Sequence, residues 1–251
     1  MKALITGGSS GIGKEMAIIL SDMGYDVILV AKNKRGLEKV AKELSGKVEI
    51  YDIDIASTYN CMKLYNKIKN DDIEIVINNA GFGIFGEFSE TKLDKEMDMI
   101  DTNIKGLHTL TKLFLKDFKE KNHGYILNVA SSAAFLPGPL MSTYYATKAY
   151  VLHLTEAINE ELRVEKNNVY IGALCPGPVK TNFNKVAGVE FDLKSMNSND
   201  VADYAIKKMF DKKTIIIPGL KVKIGIFITR LLPRKIIRNV SYKIQQKKKS
   251  N

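Results

Sequence analysis

Residues 2–13 read KALITGGSSGIG, and they decide the fold prediction for this chain. The apolar run at 2–6 predicts a buried strand, and the glycines after it predict a tight turn into a helix that begins at Gly11. Glycines let the backbone approach a pyrophosphate closely, and a helix N-terminus supplies unpaired N–H groups and the positive end of a dipole. The loop therefore indicates a dinucleotide site, formed by Gly7, Ser9, Ser10, Gly11, Ile12 and Gly13.

Short apolar runs and helical patterns alternate along the rest of the chain. Further strands are predicted at residues 26–31, 48–53, 73–78, 124–130, 169–175 and, more weakly, 214–218. Helices are predicted at 11–23, 35–44, 58–69, 93–119, 144–165 and 199–210. Alternation of this kind, with nearly continuous hydrophobicity in the strands, is typical of a parallel sheet covered by helices on both faces. We therefore predict an α/β Rossmann-type doubly wound sheet of about seven parallel strands in one domain, residues 1–219, followed by a basic amphipathic C-terminal extension, residues 220–251.

The composition excludes several classes of protein. A hydrophobic content of 45% with 26% charged residues is ordinary for a soluble globular chain. The net charge of +10 is concentrated after residue 207, so a domain-wide basic face for nucleic acid is not supported. We expect no signal peptide and no spanning helix. Cys61 and Cys175 match no metal or redox spacing, so we expect no metal site and reduced thiols in a cytoplasmic protein.

The same Gly-rich letters allow a competing interpretation. Residues 7–11, GGSSG, match the G-x-S-x-G nucleophile elbow of hydrolases, with Ser9 as nucleophile. The chain offers His108, His123 and His153 as candidate bases. An elbow normally follows several strands, however, and here the motif follows the first one, so the hydrolase is the weaker hypothesis.

The end of the second predicted strand bears on the choice of nicotinamide cofactor. NAD-binding proteins typically place an Asp or Glu there, where it accepts hydrogen bonds from the adenosine ribose. Here the place holds Ala31, and Lys32 follows it. The missing carboxylate removes repulsion of a 2′-phosphate and the cation adds attraction, so NADP(H) is predicted with Lys32 as the phosphate contact. A solvated basic loop is the alternative.

Tyr144 and Lys148 are four residues apart in a predicted helix, so their side chains share one face. An ammonium about 4–6 Å from a phenol favours the phenolate and is expected to lower a tyrosine pKa of about 10 by about 1–3 units. The spacing therefore allows a tyrosine that acts as an acid/base near neutral pH. The neighbouring Tyr145 has Ala149 at the same spacing and is not selected. Ordinary helix-start aromatics are the alternative.

Together these motifs resemble the short-chain dehydrogenase/reductase family over roughly residues 1–220. In chain order, the matching pieces are the loop at 6–13, Asp54, the NNAG run at 78–81, Asn103, Ser131, Tyr144 with Lys148, and the PGPVKT run at 176–181. The resemblance implies an NADP(H)-dependent oxidoreductase with Tyr144 as acid/base. It also implies homodimers or homotetramers.

The resemblance assigns roles to the other matching residues. Lys148 would also hold the nicotinamide ribose, Ser131 would donate to the substrate oxygen, and Asn103 would hold a water that links the lysine to solvent. Asp54 would meet the adenine, or be only a turn residue, and Asn103 could instead satisfy buried backbone groups. Asn79, Ala80 and Gly81 would form the floor of the cofactor site, although Asn79 could instead only stabilise the sheet. The remaining cofactor contacts are predicted at Pro176, Gly177, Val179 and Thr181. Val179 and Thr181 would contact the nicotinamide carboxamide.

The substrate side and the tail leave alternatives open. Apolar residues are expected around the substrate, and they predict an apolar or acyl-chain-like ketone or aldehyde. The alternative is that they form lid or interface packing. The residues are Phe82, Ile84, Phe85, Phe135, Leu136, Leu140, Met141 and Phe183. The basic, apolar tail is typical of a segment on an anionic membrane surface, and a helical lid with a solvated end is the alternative. A cofactor-binding regulatory or scaffold protein is the remaining class. Such proteins usually lose the tyrosine or the lysine.

Overall fold

The computed structural model describes residues 1–181, 183 and 195–246. The strands are β1 (Lys2–Thr6), β2 (Asp26–Val30), β3 (Val48–Tyr51), β4 (Ile73–Asn78), β5 (Tyr125–Val129), β6 (Tyr170–Leu174), β7 (Val179–Lys180), β8 (Met196–Asn197) and β9 (Ile215–Ile216). The helices are α1 (Gly11–Asp22), α2 (Lys34–Ala41), α3 (Thr58–Ile68), α4 (Leu93–Ile100), α5 (Leu107–Lys121), α6 (Ser142–Val164), α7 (Ser198–Phe210), α8 (Leu220–Leu231) and α9 (Arg234–Gln246).

The seven-stranded sheet has the order β3-β2-β1-β4-β5-β6-β9, and every neighbouring pair is parallel. The chain runs outward from β1 to β3, returns to β4 beside β1, and then runs outward on the other side. This is the doubly wound arrangement that the alternating pattern predicts, so the predicted fold class is confirmed. The direction reverses between β1 and β4, and ligands bind at this position in open α/β sheets, outside the carboxyl ends of the strands.

Two apolar cores cover the two faces of the sheet. Successive side chains of a strand point to opposite faces, and in β1 the buried Ile5 belongs to the core under α1 and α7, whereas the buried Leu4 belongs to the core under α3 and α5. The first core contains Met16 and the second contains Phe114, and both side chains are fully buried. Burial on both faces is the reason why the strands read as continuous apolar runs.

The predicted helix at 93–119 is interrupted. Residues Asp101–Gly106 form a π-helical turn between α4 and α5. A Cβ at Gly106 would lie 2.4 Å from the carbonyl oxygen of Ile55, so the glycine lets this turn approach the loop after β3. Single π turns occur within α-helices, and the sequence pattern predicted one continuous helix here.

The C-terminal extension forms two helices in its described part. Pro233 follows α8 and cannot continue it, because it lacks an N–H donor. Ile226 of α8 and Ser241 and Gln245 of α9 are buried against the rest of the chain. Among the described residues, no helix combines the length and the hydrophobicity needed to cross a bilayer. The end of the predicted extension, residues 247–251, lies outside the described residues.

Candidate active site

A cavity of about 470 Å³ lies at the carboxyl edge of the sheet. On its β2–β3 side it is lined by Lys32 and Asp54, and on its β5–β6 side by Ser131, Tyr144 and Lys148. Its lining includes nearly all the predicted cofactor residues: Gly7, Ser9, Ser10, Gly11, Ile12, Asn79, Ala80, Gly81, Pro176, Gly177, Val179 and Thr181. The sheet topology therefore brings together motifs from seven separate parts of the sequence.

Glycines in the first loop are required by close contacts. Gly7 and Gly11 have positive φ angles of 67° and 57°, a region that side chains disfavour. A Cβ at Gly13 would lie 2.5 Å from the carbonyl oxygen of Gly7, so Gly13 brings α1 against the loop. Gly13 is not among the residues that line the cavity. Its place in the motif reflects packing between helix and loop.

Asn79 has a structural role that the sequence left open. Its side-chain amide donates to the carbonyl oxygens of Thr6, at 3.0 Å, and Gly7, at 3.2 Å. Its backbone N–H donates to the Thr6 hydroxyl at 3.0 Å. These bonds tie the end of β4 to the Gly-rich loop. Asn79 also lines the cavity, so the sheet-stabilising role does not exclude a cofactor contact.

The N-terminus of α1 fits a pyrophosphate. The side chain of its N-cap residue, Ser10, makes no capping hydrogen bond, and no acidic side chain lies in the first turn. The first N–H groups of a helix have no partner within the helix, and the helix dipole places partial positive charge beside them. A Cβ at Gly11 would lie 3.1 Å from Cγ2 of Thr181, so the loop after β6 closes against the same helix end.

The β2–β3 side of the cavity carries a cation and a carboxylate. The Nζ of Lys32 lies 3.3 Å from Oδ2 of Asp54, and the Lys32 side chain is 63% exposed. Asp54 also accepts a hydrogen bond from the N–H of Ala56 at 3.0 Å, as a turn residue does. An exposed ion pair of this kind is weak. The ammonium of Lys32 is therefore available to a stronger anion such as a phosphate.

Ser131, Tyr144 and Lys148 meet on the β5–β6 side. The hydroxyl oxygen of Ser131 accepts from the N–H of Ala133 at 3.1 Å, and the hydroxyl is hydrogen-bonded to the Tyr144 phenol. The Nζ of Lys148 lies 6.0 Å from the centre of the Tyr144 ring and donates to the carbonyl oxygen of Val129 at 2.7 Å. The structure therefore places the tyrosine and the lysine on one face of α6.

Burial dominates the ionisation of this pair. It raises the pKa of Tyr144 well above its ordinary value, although the Ser131 hydrogen bond acts in the opposite direction. Burial also lowers the pKa of Lys148 to about 8. The expected lowering of the tyrosine pKa by Lys148 is therefore wrong for the protein alone. Loss of hydration disfavours both charged forms and outweighs the attraction between them.

Asn103 lies in the π turn and is fully buried. Its amide nitrogen donates to the Phe82 carbonyl at 2.9 Å and to the Thr147 hydroxyl at 3.1 Å, and its oxygen accepts from the Phe82 N–H at 3.0 Å. Both amide hydrogens are thus used within the protein, as the backbone-satisfying alternative predicts. A Cβ at Gly81 would lie 2.8 Å from Oδ1 of Asn103 and 3.3 Å from Nζ of Lys148. Asn103 therefore lies close behind Lys148, although it does not line the cavity.

The apolar residues predicted for the substrate side separate into two groups. Phe82, Met141 and Phe183 line the cavity, and the Phe183 ring centre is 5.2 Å from that of Tyr144. The others do not line it; they are Ile84, Phe85, Phe135, Leu136 and Leu140. Lining residues that sequence reasoning missed include Thr102, Ala133 and Tyr145. Of these three residues, the sequence analysis considered only Tyr145, as a neighbour of Tyr144, and did not select it.

The C-terminal extension contacts this site at two points. The amide nitrogen of Gln245 in α9 donates to the Tyr145 hydroxyl. A Cβ at Gly177 would lie 2.9 Å from Cγ2 of Val222 in α8, so the glycine also admits this helix. Contact between the extension and the cavity agrees with the alternative of a helical lid over the substrate pocket. The sequence did not predict which residues make these contacts, since they lie far apart in the chain.

The hydrolase hypothesis lacks a base in the described structure. His108 contacts Tyr150, His123 contacts Glu74 and His153 contacts Glu156, in each case through side-chain atoms. No histidine occurs among the described residues that line the cavity. Nor do the described residues contain a group of three or more His, Cys, Asp or Glu side chains suited to a metal ion.

Comparison with known proteins gives consistent matches. The family model described as short chain dehydrogenase matches residues 1–190. The very-long-chain 3-oxoacyl-CoA reductase of Homo sapiens is 30% identical over 248 residues, which cover 95% of this chain and 75% of that protein.

Solved structures show the same relationship. A short-chain dehydrogenase from Sphingobium yanoikuyae in complex with NADPH is 30% identical, with a TM-score of 0.81 and coverage of 87% of this chain and 88% of that one. The bulky-bulky ketone specific alcohol dehydrogenase from Comamonas testosteroni is 26% identical, with a TM-score of 0.78 and 92% coverage of both chains.

Proposed function

The chain belongs to the short chain dehydrogenase family, and we propose that it is an NADP(H)-dependent oxidoreductase that interconverts a ketone or aldehyde and an alcohol. The observation that carries this proposal is the placement of Ser131, Tyr144 and Lys148 in one cavity with the Gly-rich loop. A regulatory or scaffold role on the same fold is not favoured, because both Tyr144 and Lys148 are present.

Tyr144 is the general acid of the reduction. Because burial raises its pKa, the phenol keeps its proton at neutral pH and can donate it to the oxygen of a carbonyl that is being reduced. The N–H of Ala133 holds the Ser131 oxygen in place, and the Ser131 hydroxyl can turn its hydrogen from the phenol to the substrate oxygen, where negative charge develops. In its ammonium form, Lys148 stabilises the phenolate that remains. The bound dinucleotide supplies the hydride.

The dinucleotide is held along the carboxyl edge of the sheet. The N-terminus of α1 and the Gly-rich loop bind its pyrophosphate, and Lys32 binds the 2′-phosphate. Asp54 meets the adenine, Lys148 holds the nicotinamide ribose, and Thr181 with Val179 meets the carboxamide. The absence of an acidic residue after β2 and the NADPH complex of the similar S. yanoikuyae protein support NADP(H).

The substrate has an apolar body. Phe82, Met141 and Phe183 line the cavity close to Tyr144, and Tyr145 adds a further aromatic ring. The names of two similar proteins mention a very-long-chain 3-oxoacyl-CoA and bulky ketones. An acyl-chain-like or bulky ketone fits both the lining and these relatives.

NADPH oxidation with a series of ketones of increasing apolar length tests this function. Tyr144→Phe should lower kcat at least about 100-fold, as expected for loss of a general acid. Tyr150→Phe, a matched change on the same helix outside the cavity, should keep kcat. We expect kcat/KM to rise with the apolar length of the ketone. Retention of most activity in Tyr144→Phe would contradict the mechanism, and equal turnover of small polar and long apolar ketones would contradict the substrate class.

A further inference from the structure

One side of α8 is apolar and exposed. Five large apolar side chains are between 46% and 72% exposed: Leu220, Ile224, Phe227, Ile228 and Leu231. At about 100° per residue, their spacing places them within one sector of roughly 100° on the helix surface. Isolated exposed apolar residues are common on protein surfaces, whereas contiguous apolar patches mark interaction sites.

The opposite side of α8 is already occupied. Ile226 is buried, and Val222 packs against Gly177 beside the cavity. Lys223 further attaches the helix to α7, because its Nζ donates to the Tyr204 hydroxyl at 2.9 Å. The helix is therefore seated on the domain through one face, and the exposed apolar sector is a second, separate face.

The helix α9 has its polar side turned inward. Ser241 and Gln245 are 3% and 1% exposed, whereas Ile236, Val240 and Ile244, spaced four residues apart, are 45% to 48% exposed. A surface helix in a water-soluble domain normally buries its apolar stripe and exposes its polar one. The reversed arrangement of α9 thus adds a second exposed apolar stripe to that of α8. We define these eight apolar residues of α8 and α9 as the outer face of the extension.

The charge of the extension is entirely positive. Residues 220–251 contain ten Lys and Arg and no Asp or Glu, which leaves 28 basic and 28 acidic residues for the rest of the chain. The helical spacing places Lys221 on one flank of the apolar sector of α8, and Arg230 on the other. Cations around an apolar stripe match an anionic lipid surface, since the stripe enters the headgroup boundary while the cations meet lipid phosphates. Two copies of such a face would repel each other.

We propose that the outer face of the extension docks in the plane of an anionic lipid bilayer, with α8 and α9 lying on the surface. The inner side of the same helices contacts Gly177 and Tyr145 at the cavity. Docking therefore brings the active-site cavity close to the bilayer, where an apolar substrate partitions. This last consequence rests on the proposed function, whereas the docking itself does not.

Co-sedimentation of the full chain with phospholipid vesicles tests the docking without any substrate. The vesicles contain phosphatidylcholine alone or with about one third phosphatidylserine, which provides the negative surface. One variant combines Ile224→Ser, Phe227→Ser and Leu231→Ser. Its matched control combines Tyr59→Ser, Leu93→Ser and Val164→Ser, which remove at least comparably exposed large side chains from residues 1–219. A third variant combines Lys221→Gln, Arg230→Gln and Lys235→Gln.

We expect the natural chain and the control to bind anionic vesicles at least tenfold more strongly than neutral ones. The outer-face variant should lose at least tenfold of this binding, and the charge variant should lose the preference for anionic vesicles. NADPH oxidation with a water-soluble ketone, unchanged in all variants, reports that they are folded. Vesicle binding that is absent, or is equal in all variants, overturns the proposal. It is also overturned if the outer-face substitutions dissociate an oligomer, measured by analytical ultracentrifugation, and leave vesicle binding unchanged, since a second copy would then cover the face.

Discussion

Tyr144 and Lys148 are buried side by side in α6, and burial favours the neutral form of each. The protein alone thus holds a phenol and an amine that is about half charged near pH 8. This state suits proton donation to a carbonyl oxygen. It also means that the protein stabilises the ammonium form of Lys148 less than water stabilises the ammonium of an exposed lysine.

The buried lysine should destabilise the fold at neutral pH. Its pKa falls from 10.5 to about 8 on folding, so the unfolded chain retains a proton between pH 8 and 10.5 that the native protein has lost. The contribution of Lys148 to stability therefore rises with pH across this window and is lowest below pH 8. Lys148→Met should raise the free energy of unfolding by about 3 kcal/mol at pH 7, and this gain should shrink as the pH rises from 8 towards 10.5. Urea denaturation at pH 7 and 9 measures it. The exposed change Lys116→Met serves as the control, and a gain independent of pH would contradict the buried-amine explanation.

Lys32 is the residue that should set cofactor preference. Lys32→Glu places a carboxylate where a 2′-phosphate would bind, so repulsion replaces attraction. We expect the ratio of kcat/KM for NADPH to that for NADH to fall at least about tenfold, equivalent to about 1.4 kcal/mol. Lys39→Glu makes the same change of charge within α2, outside the cavity, and should leave the ratio unchanged. An equal fall in both variants would show a general charge effect and no specific contact.

The elements around the site are joined by a few buried polar contacts. The π turn aims Asn103 at the backbone of Phe82, which fixes the loop after β4. The contact between Tyr145 and Gln245 joins α6 to α9. In each case a side chain from one element satisfies a buried polar group of another, so loss of one partner is costly.

Tyr145→Phe should loosen α9. The substitution keeps the ring and removes the hydroxyl that accepts from Gln245, whose amide oxygen already has no partner among the described residues. A buried donor without a partner costs about 1–3 kcal/mol. Hydrogen exchange should therefore speed up several-fold in residues 234–246, while exchange in β1 and β4 stays unchanged. Tyr150→Phe provides the matched control, and equal exchange in both variants would contradict a structural role for this contact.

At the scale of the whole molecule, charge is unevenly distributed: residues 1–219 are neutral overall, and residues 220–251 are cationic. Cys61 lies in the core on one face of the sheet, and Cys175 lies in a cluster with Val151 and Leu152 of α6. Both are free and fully buried, and burial raises their pKa values to about 11 and about 12. Each thiol therefore reports on opening of the structure around it.

Global unfolding should expose both thiols together. At pH 8 in native buffer, a thiol-specific aromatic disulfide reagent should react with neither, because reaction requires an exposed thiolate. In urea, both should react with the same midpoint as the loss of circular dichroism, if the two cores unfold cooperatively. Cys61→Ala and Cys175→Ala variants assign each signal. Rapid labelling of either thiol in native buffer would show that its cluster opens locally.

The fold class follows from the amino-acid sequence alone, because strand hydrophobicity and helix periodicity are local patterns that report burial on both faces of the sheet. The sequence also identified most of the residues that line the cavity, since glycines and polar residues at strand ends stand out in such a pattern. The tertiary structure decided what depends on contacts between distant segments. These are the π turn at Asn103, the packing role of Gly13, the selection of cavity-lining aromatics, and the reach of the extension to Tyr145. The ionisation of Tyr144 and Lys148 belongs with them, since desolvation is set by all the surrounding segments and outweighs the i, i+4 spacing that the sequence displays.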